Sequence, residues 1–264
     1  MDRRLALVTG ASAGIGAAFA RTLAARGHDL VLTARRAERL EALAGELRDR
    51  HGVEVLTLAA DLADPGAPAA LQGALTARGL SVDILVNNAG YGLPGGFGDN
   101  DWRDQAAVLQ VMLTAPCELA HRLLPGMRAR GYGRIINVAS LAGLTPGGVG
   151  LYGPVKAFLI GFSQSLRQES VGDGVHVSAL CPGLTWSEFH DVNGMREPLN
   201  RATPAWLWME AETVVAAGLA AAEANRPVCV PGAVNKVLAG LAWLLPDRWV
   251  MAITAAQGWR FRKP

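Results

Sequence analysis

Tyr152 and Lys156 stand four residues apart, in Tyr152-Gly153-Pro154-Val155-Lys156. On a helix that spacing puts both side chains on one face. A phenol with a pKa near ~10 is a poor acid–base group at neutral pH. An ammonium beside it favours the phenolate and is expected to draw that pKa down toward the working range. The pair is a candidate proton donor to an alkoxide forming from a carbonyl. Only three of the 25 basic residues are lysines, so a lysine here stands out from the arginine-rich background. Ser140 follows the apolar run Ile136-Asn137-Val138-Ala139. A hydroxyl at the carboxyl end of a strand can bond and orient a substrate oxygen. Taken singly, the first motif is read as a packed tyrosine with an exposed lysine, and the serine as a helix cap.

A second cluster precedes these. Thr9-Gly10-Ala11-Ser12-Ala13-Gly14-Ile15-Gly16 lies between an apolar run and a helical pattern. Glycines there allow a sharp turn and close approach of backbone to a pyrophosphate. The helix start that follows presents free N–H groups and a positive dipole end. The spacing G-x-x-x-G-x-G differs from the general G-x-G-x-x-G fingerprint. The next strand ends Thr33-Ala34-Arg35-Arg36. An NAD-binding turn places a carboxylate about 20 residues on, to hold the ribose 2′-hydroxyl. Arg35 stands there instead, and a guanidinium suits a 2′-phosphate. The expectation is NADP rather than NAD.

The elements that must position these groups alternate. Strands are expected at Leu5–Thr9, Asp29–Ala34, Val53–Ala59, Asp83–Asn87, Arg134–Ala139, Val175–Leu180 and Pro227–Val230. Helices are expected at Gly14–Arg26, Arg36–Arg50, Pro65–Arg78, Trp102–Arg130, Leu151–Ser170 and Trp206–Ala224. Strand-then-helix order implies an α/β fold, a Rossmann-type doubly wound parallel sheet of about seven strands with helices on both faces. Runs such as Leu5-Ala6-Leu7-Val8 fit strands buried on both sides. No linker divides the pattern, so residues 1–264 are expected to form one domain.

Composition narrows the function classes. Half the residues are hydrophobic and 18% are charged, which supports a sizeable core. A net charge of +2 argues against a dedicated nucleic-acid binder. Cys117, Cys181 and Cys229 are widely separated and show no metal-ligand spacing, so no metal is expected. They read as reduced thiols of a cytoplasmic protein. The apolar run at Leu5–Val8 is too short for a signal peptide and ends in the glycine turn.

Together the motifs resemble the short-chain dehydrogenase/reductase family over nearly the whole chain. The resemblance rests on T-G-x-x-x-G-I-G at 9–16, Asp61, Asn87-Asn88-Ala89-Gly90, Ser140, Y-x-x-x-K at 152–156 and Pro182-Gly183. It implies a nicotinamide cofactor held by Gly10, Ser12, Ala13, Gly14, Ile15 and Gly16. Arg35, Asp61 and Leu62 would lie along the adenosine side, with Asn88, Ala89 and Gly90. It implies Tyr152 as general acid/base, Lys156 on the nicotinamide ribose and Ser140 on the carbonyl. Pro182, Gly183 and Thr185 would flank the nicotinamide, with Thr185 or Ser187 bonding its carboxamide. It also implies a homodimer or homotetramer built through the two long helices. One position departs. The family places an asparagine about three and a half turns before Leu124-Pro125-Gly126-Met127, where it holds a water that links the lysine to solvent. Met112 stands there, and a thioether cannot donate; Gln110, two residues away, faces elsewhere on a helix.

The segment at about 184–209 is expected to cover the substrate as a lid. It carries Trp186, Phe189, His190, Met195, Trp206, Leu207 and Trp208, which suits a fairly hydrophobic ketone or alcohol. Residues 235–264 carry Trp243, Trp249 and Trp259 and end Arg260-Phe261-Arg262-Lys263. They read as an amphipathic extension over the active-site side or a partner subunit; membrane-surface contact is the alternative. The expected function is an NADP(H)-dependent oxidoreductase acting on a carbonyl or secondary alcohol. The alternative is a cofactor-binding protein whose turnover is impaired at Met112. Arg35→Asp is expected to swap the preference from NADP to NAD, measured as the ratio of the two affinities; unchanged NADP affinity would refute the assignment.

Overall fold

The computed structural model describes residues 3–148, 150–189, 197, 201 and 203–258. Among these, seven strands form one parallel sheet: β1 (Leu5–Thr9), β2 (Asp29–Ala34), β3 (Val55–Ala59), β4 (Ile84–Asn87), β5 (Gly133–Val138), β6 (Val175–Leu180) and β7 (Val228–Cys229). The order is β3-β2-β1-β4-β5-β6-β7. β1 pairs in parallel with both β2 and β4, so the winding reverses beside it. A crevice opens at the carboxyl ends of strands where winding reverses, and that is where open α/β sheets take ligands.

The helices are α1 (Gly14–Ala25), α2 (Ala37–His51), α3 (Ala67–Thr76), α4 (Trp102–Leu109), α5 (Ala115–Ala129), α6 (Tyr152–Glu169), α7 (Ala211–Glu223), α8 (Ala233–Leu244) and α9 (Asp247–Gly258). Alternation along each strand divides the core in two. Ala6 and Val8 of β1 pack with Phe19, Leu23, Leu47 and Val214, from α1, α2 and α7. Leu7 faces the opposite layer, with Leu71, Leu119, Met127 and Val155 from α3, α5 and α6. Both faces of the central strands are therefore dry, as their continuous apolar sequences require.

Two expected helices are interrupted. The stretch Trp102–Arg130 is not one continuous helix, because Gln110–Thr114 forms a π-helical turn between α4 and α5. Pro116 supplies the physical reason. It has no N–H to donate to the carbonyl four residues back, which is that of Met112, and its ring crowds that carbonyl. The stretch Trp206–Ala224 breaks as well. Ala205–Leu207 is a short 3-10 turn, and Met209 then bridges to Thr185 in extended form. Met209 N–H donates to the Leu184 carbonyl (3.0 Å) and Trp186 N–H to that of Met209 (3.0 Å), so regular helix starts only at Ala211. The expected lid residues His190 and Met195, and the tail Trp259, Arg260, Phe261, Arg262 and Lys263, lie outside the described residues. No described helix is long and apolar enough to cross a membrane.

Phe19 is fully buried between α1 and the sheet. Phe19→Ala is expected to cost about 3–5 kcal/mol, read from denaturant melts; a loss below about 1 kcal/mol would mean that α1 is not anchored through this ring.

Candidate active site

A cavity of about 1000 Å³ opens at the carboxyl ends of the strands. Of the residues expected at the site, all but Gly16 line it: Gly10, Ser12, Ala13, Gly14, Ile15, Arg35, Asp61, Leu62, Asn88, Ala89, Gly90, Ser140, Tyr152, Lys156, Pro182, Gly183 and Thr185. They come from strand ends and helix starts far apart in sequence, and the sheet order brings them together.

At one end Tyr152 opens α6 and Ser140 caps the short turn Leu141–Gly143 after β5. Ser140 Oγ accepts from Ala142 N–H (3.2 Å) and lies near enough to the Tyr152 hydroxyl to influence its pKa. Gly143 makes this closeness feasible. A Cβ there would stand 2.6 Å from the Lys156 carbonyl carbon and 2.7 Å from Ala157 N. Lys156 is 4% exposed, lies with Nζ 5.6 Å from the centre of the Tyr152 ring, and donates to the Val138 carbonyl (2.7 Å).

The expected lowering of the Tyr152 pKa is not what this geometry produces. Burial pushes it up to about 12, opposed in part by the neighbouring Ser140 hydroxyl. Burial likewise lowers Lys156 to about 8. Desolvation disfavours each group's charged form, phenolate in one case and ammonium in the other. Desolvation thus favours the protonated phenol, which is the state a proton donor needs.

At the other end the glycine turn is built for close approach. A Cβ at Gly16 would run into the Gly10 carbonyl, and one at Gly10 (φ +65°) would stand 2.8 Å from Asn88 Nδ2. Asn88 Nδ2 donates to the carbonyls of Thr9 (2.9 Å) and Gly10 (3.2 Å). Thr9 Oγ1 accepts from the N–H groups of Asn88 and Ala89 (2.9 and 3.0 Å). The Asn88 side chain thus locks the turn to β4, and this bonding was not expected from the sequence. Ala13 precedes α1 with no side-chain cap, leaving first-turn N–H groups directed at the cavity. Such a cradle fits the pyrophosphate of a dinucleotide. Asp61 Oδ1 accepts from Ala63 N–H (3.0 Å), and Leu62 is buried in the core. Thr185 Oγ1 donates to the Gly183 carbonyl (3.2 Å). Arg35 is exposed at the rim. Its neighbour Arg36 donates to Ser12 Oγ from Nε (3.2 Å) and Nη2 (3.0 Å), so it too reaches the cavity.

The aromatic lid is partly corrected. Trp186 and Trp208 stack on each other, 4.3 Å between ring centres, and do not line the cavity. Trp206 is exposed and also lies off it. Phe189 does line it, 5.5 Å from the Tyr152 ring. The remaining apolar wall comes from Leu207 and from Leu238, Leu241, Ala242, Leu245 and Val250 of the C-terminal extension. The spacing 238, 241, 242, 245 is a helical stripe visible in the sequence, but nothing in the sequence says which surface it faces.

A family model described as short chain dehydrogenase matches residues 4–196. The chain belongs to the short-chain dehydrogenase family. It is 38% identical over 194 residues to the NADP-dependent 3-hydroxy acid dehydrogenase of Salmonella typhi, covering 71% of this chain and 75% of that protein. Among solved structures it is similar to a short-chain dehydrogenase from Sphingobium yanoikuyae in complex with NADPH (36% identity, TM-score 0.80, 97% of this chain and 94% of that one). It is also similar to the bulky-bulky ketone specific alcohol dehydrogenase from Comamonas testosteroni (30%, TM-score 0.77, 98% and 94%).

Within this short-chain dehydrogenase Met112 is fully buried in the π-helical turn. A Cβ placed on Gly90 would stand 2.8 Å from Met112 Sδ and 3.6 Å from Lys156 Nζ, so the thioether and the ammonium both border Gly90. Gln110 Nε2, on the same turn, is buried without a hydrogen-bond partner. An amide in place of the thioether puts a polar acceptor near the ammonium and favours its charged form. Met112→Asn is therefore expected to raise the Lys156 pKa from about 8 toward its usual value and to move the alkaline limb of the turnover–pH profile upward. Burying the amide is expected to cost about 1–3 kcal/mol of stability. Turnover and pH profile both unchanged would show that Met112 does not limit the proton path.

Proposed function

We propose that this short-chain dehydrogenase is an NADP(H)-dependent carbonyl reductase for bulky, apolar ketones. The observation that carries the reading is the grouping of Ser140, Tyr152 and the buried Lys156 in the wall of one largely apolar cavity. The NADP-dependent relative and the NADPH-bound structural neighbour support the cofactor. So do the glycine cradle and Arg35, whose guanidinium matches a 2′-phosphate in charge and fork geometry. Bound NADPH supplies the hydride.

The chain's own residues do the rest. Ser140 and Tyr152 hold the substrate oxygen between two hydroxyls, which fixes the carbonyl carbon for attack. Tyr152 gives its proton to the oxygen as negative charge develops there. Lys156, held on the Val138 carbonyl, sets a positive charge below the phenol that steadies it as the proton leaves. The glycine cradle binds the pyrophosphate, with Asp61 and Asn88 to Gly90 flanking the adenosine side and Pro182 to Thr185 the nicotinamide. Ser187 or Thr185 would bond the carboxamide.

Substrate class follows from the wall. Among the described lining residues, the charged ones other than Lys156 are Arg35, Arg36, Asp61 and Glu188, all toward the adenosine end. Lys156 is already bonded. A substrate carboxylate would thus lack a cation near Tyr152, whereas an apolar ketone gains from Phe189, Leu207, Leu238 and Leu241. We assign 184–209 as the lid and 1–264 as one domain. Trp102 and Phe158, exposed on α4 and α6, suit a homodimer or homotetramer interface. The second reading, a binding protein with impaired turnover, is favoured only by Met112. NADPH consumption across a ketone panel separates the two. Turnover is expected on bulky apolar ketones, and Tyr152→Phe is expected to lower it by about 10²–10⁴-fold while NADPH still binds. Tight NADPH binding with no turnover on any ketone would establish the binding protein.

A further inference from the structure

Glu188 follows Thr185 by three residues on the segment leaving β6, and it lines the cavity at the adenosine end. Its carboxylate accepts from Arg36 Nη1 (2.9 Å) and from Arg39 Nη1 (2.6 and 2.8 Å). Arg36 spends its remaining edge on Ser12 Oγ. The preceding residue lies on the phosphate-binding turn, since a Cβ added at Gly14 would stand 2.8 Å from Ser187 Cβ. Residues 187 and 188 are therefore laid across the mouth of the dinucleotide cradle and fastened there by two guanidinium groups. The fastening is a chain carboxylate on the same guanidinium whose other edge faces Ser12, next in sequence to Arg35. A phosphate monoester carries up to two negative charges and three acceptor oxygens, against one charge and two oxygens for a carboxylate.

We propose that Glu188 is an internal stand-in for the 2′-phosphate. It occupies the arginine pair when that phosphate is absent and is displaced by it on binding. The proposal rests on the reading that Arg35 marks the 2′-phosphate end, which its neighbour Arg36 adjoins, and it makes Glu188 a specificity-determining residue. A dinucleotide bearing the 2′-phosphate competes with Glu188 and frees residues 187 and 188 from the turn. One lacking the phosphate leaves the clasp closed. Removing the carboxylate's charge must then help the first ligand and not the second.

The test is titration calorimetry of the full chain and of Glu188→Gln with NADPH and NADH. A parallel pair, adenosine 2′,5′-bisphosphate and adenosine 5′-monophosphate, isolates the adenosine end. The three side chains of the clasp are about half exposed, so losing it corresponds to a change of about three- to tenfold in affinity. NADPH and the bisphosphate are expected to bind that much more tightly to Glu188→Gln, with NADH and the monophosphate unchanged. Equal tightening of all four ligands, or no change, overturns the proposal. Weaker NADPH binding overturns it in favour of a clasp that closes over the bound cofactor. If the unmodified chain itself shows no preference for the phosphorylated ligands, the reading of Arg35 falls, and this proposal with it.

Discussion

Lys156 is the constraint on which the site depends. An ammonium 4% exposed needs a partner, and the Val138 carbonyl at the end of β5 provides it. That single bond fixes the first turn of α6 against the sheet's carboxyl edge. It thereby places Tyr152 beside Ser140, which leaves the same strand two residues later. Gly143 is a consequence, because the turn after Ser140 presses on the α6 backbone at Lys156 and Ala157. The same burial that holds the ammonium in place weakens its charge and favours the protonated phenol. Position and protonation state at the reacting end share one cause.

Backbone contact does for the cofactor end what the buried lysine does for the reacting end. Gly10 and Gly16 touch through the space a Cβ would fill, and Asn88 ties both β1 and the turn to β4. The two ends are joined by a buried polar line beneath them. Asn87 Nδ2 donates to Asn137 Oδ1 (2.8 Å), Asn137 Nδ2 to Ser163 Oγ (2.8 Å), and Ser163 Oγ to the Leu159 carbonyl (2.6 Å). β4, β5 and α6 are thus locked in register by groups that would be costly to leave unpaired. Asn87 Nδ2 also reaches the Pro116 carbonyl (3.3 Å), which brings the start of α5 and the π-helical turn into the same assembly.

Legibility in the sequence varied with the range of the interaction. β1, β2 and β6 have the boundaries their apolar runs imply, because a strand buried on both faces leaves no ambiguous residue at its core. The helix break at Gln110–Thr114 was not read from the pattern, since apolar periodicity continues through it and only Pro116 marks the missing donor. The Trp206–Ala224 pattern misled for a different reason. Trp208 is apolar because it stacks on Trp186 across an extended bridge, and burial in a bridge looks the same in sequence as burial in a helix. Arg35 was visible from its place after β2, but the bonding of Arg36 to Ser12 and Glu188 was not, being a contact across 24 and 152 residues.

The sequence by itself determined the family, the α/β order and the motif residues that gather at the cavity. Those follow from local spacing: glycines at a strand-to-helix turn, a hydroxyl at a strand end, a tyrosine and lysine one helical turn apart. Only the tertiary structure decided the desolvation of Tyr152, the aliphatic wall supplied by α8, the thioether and ammonium that border Gly90 and the carboxylate on the arginine pair. Each of these is set by desolvation or by a contact between distant segments. Neither quantity exists until the chain is packed.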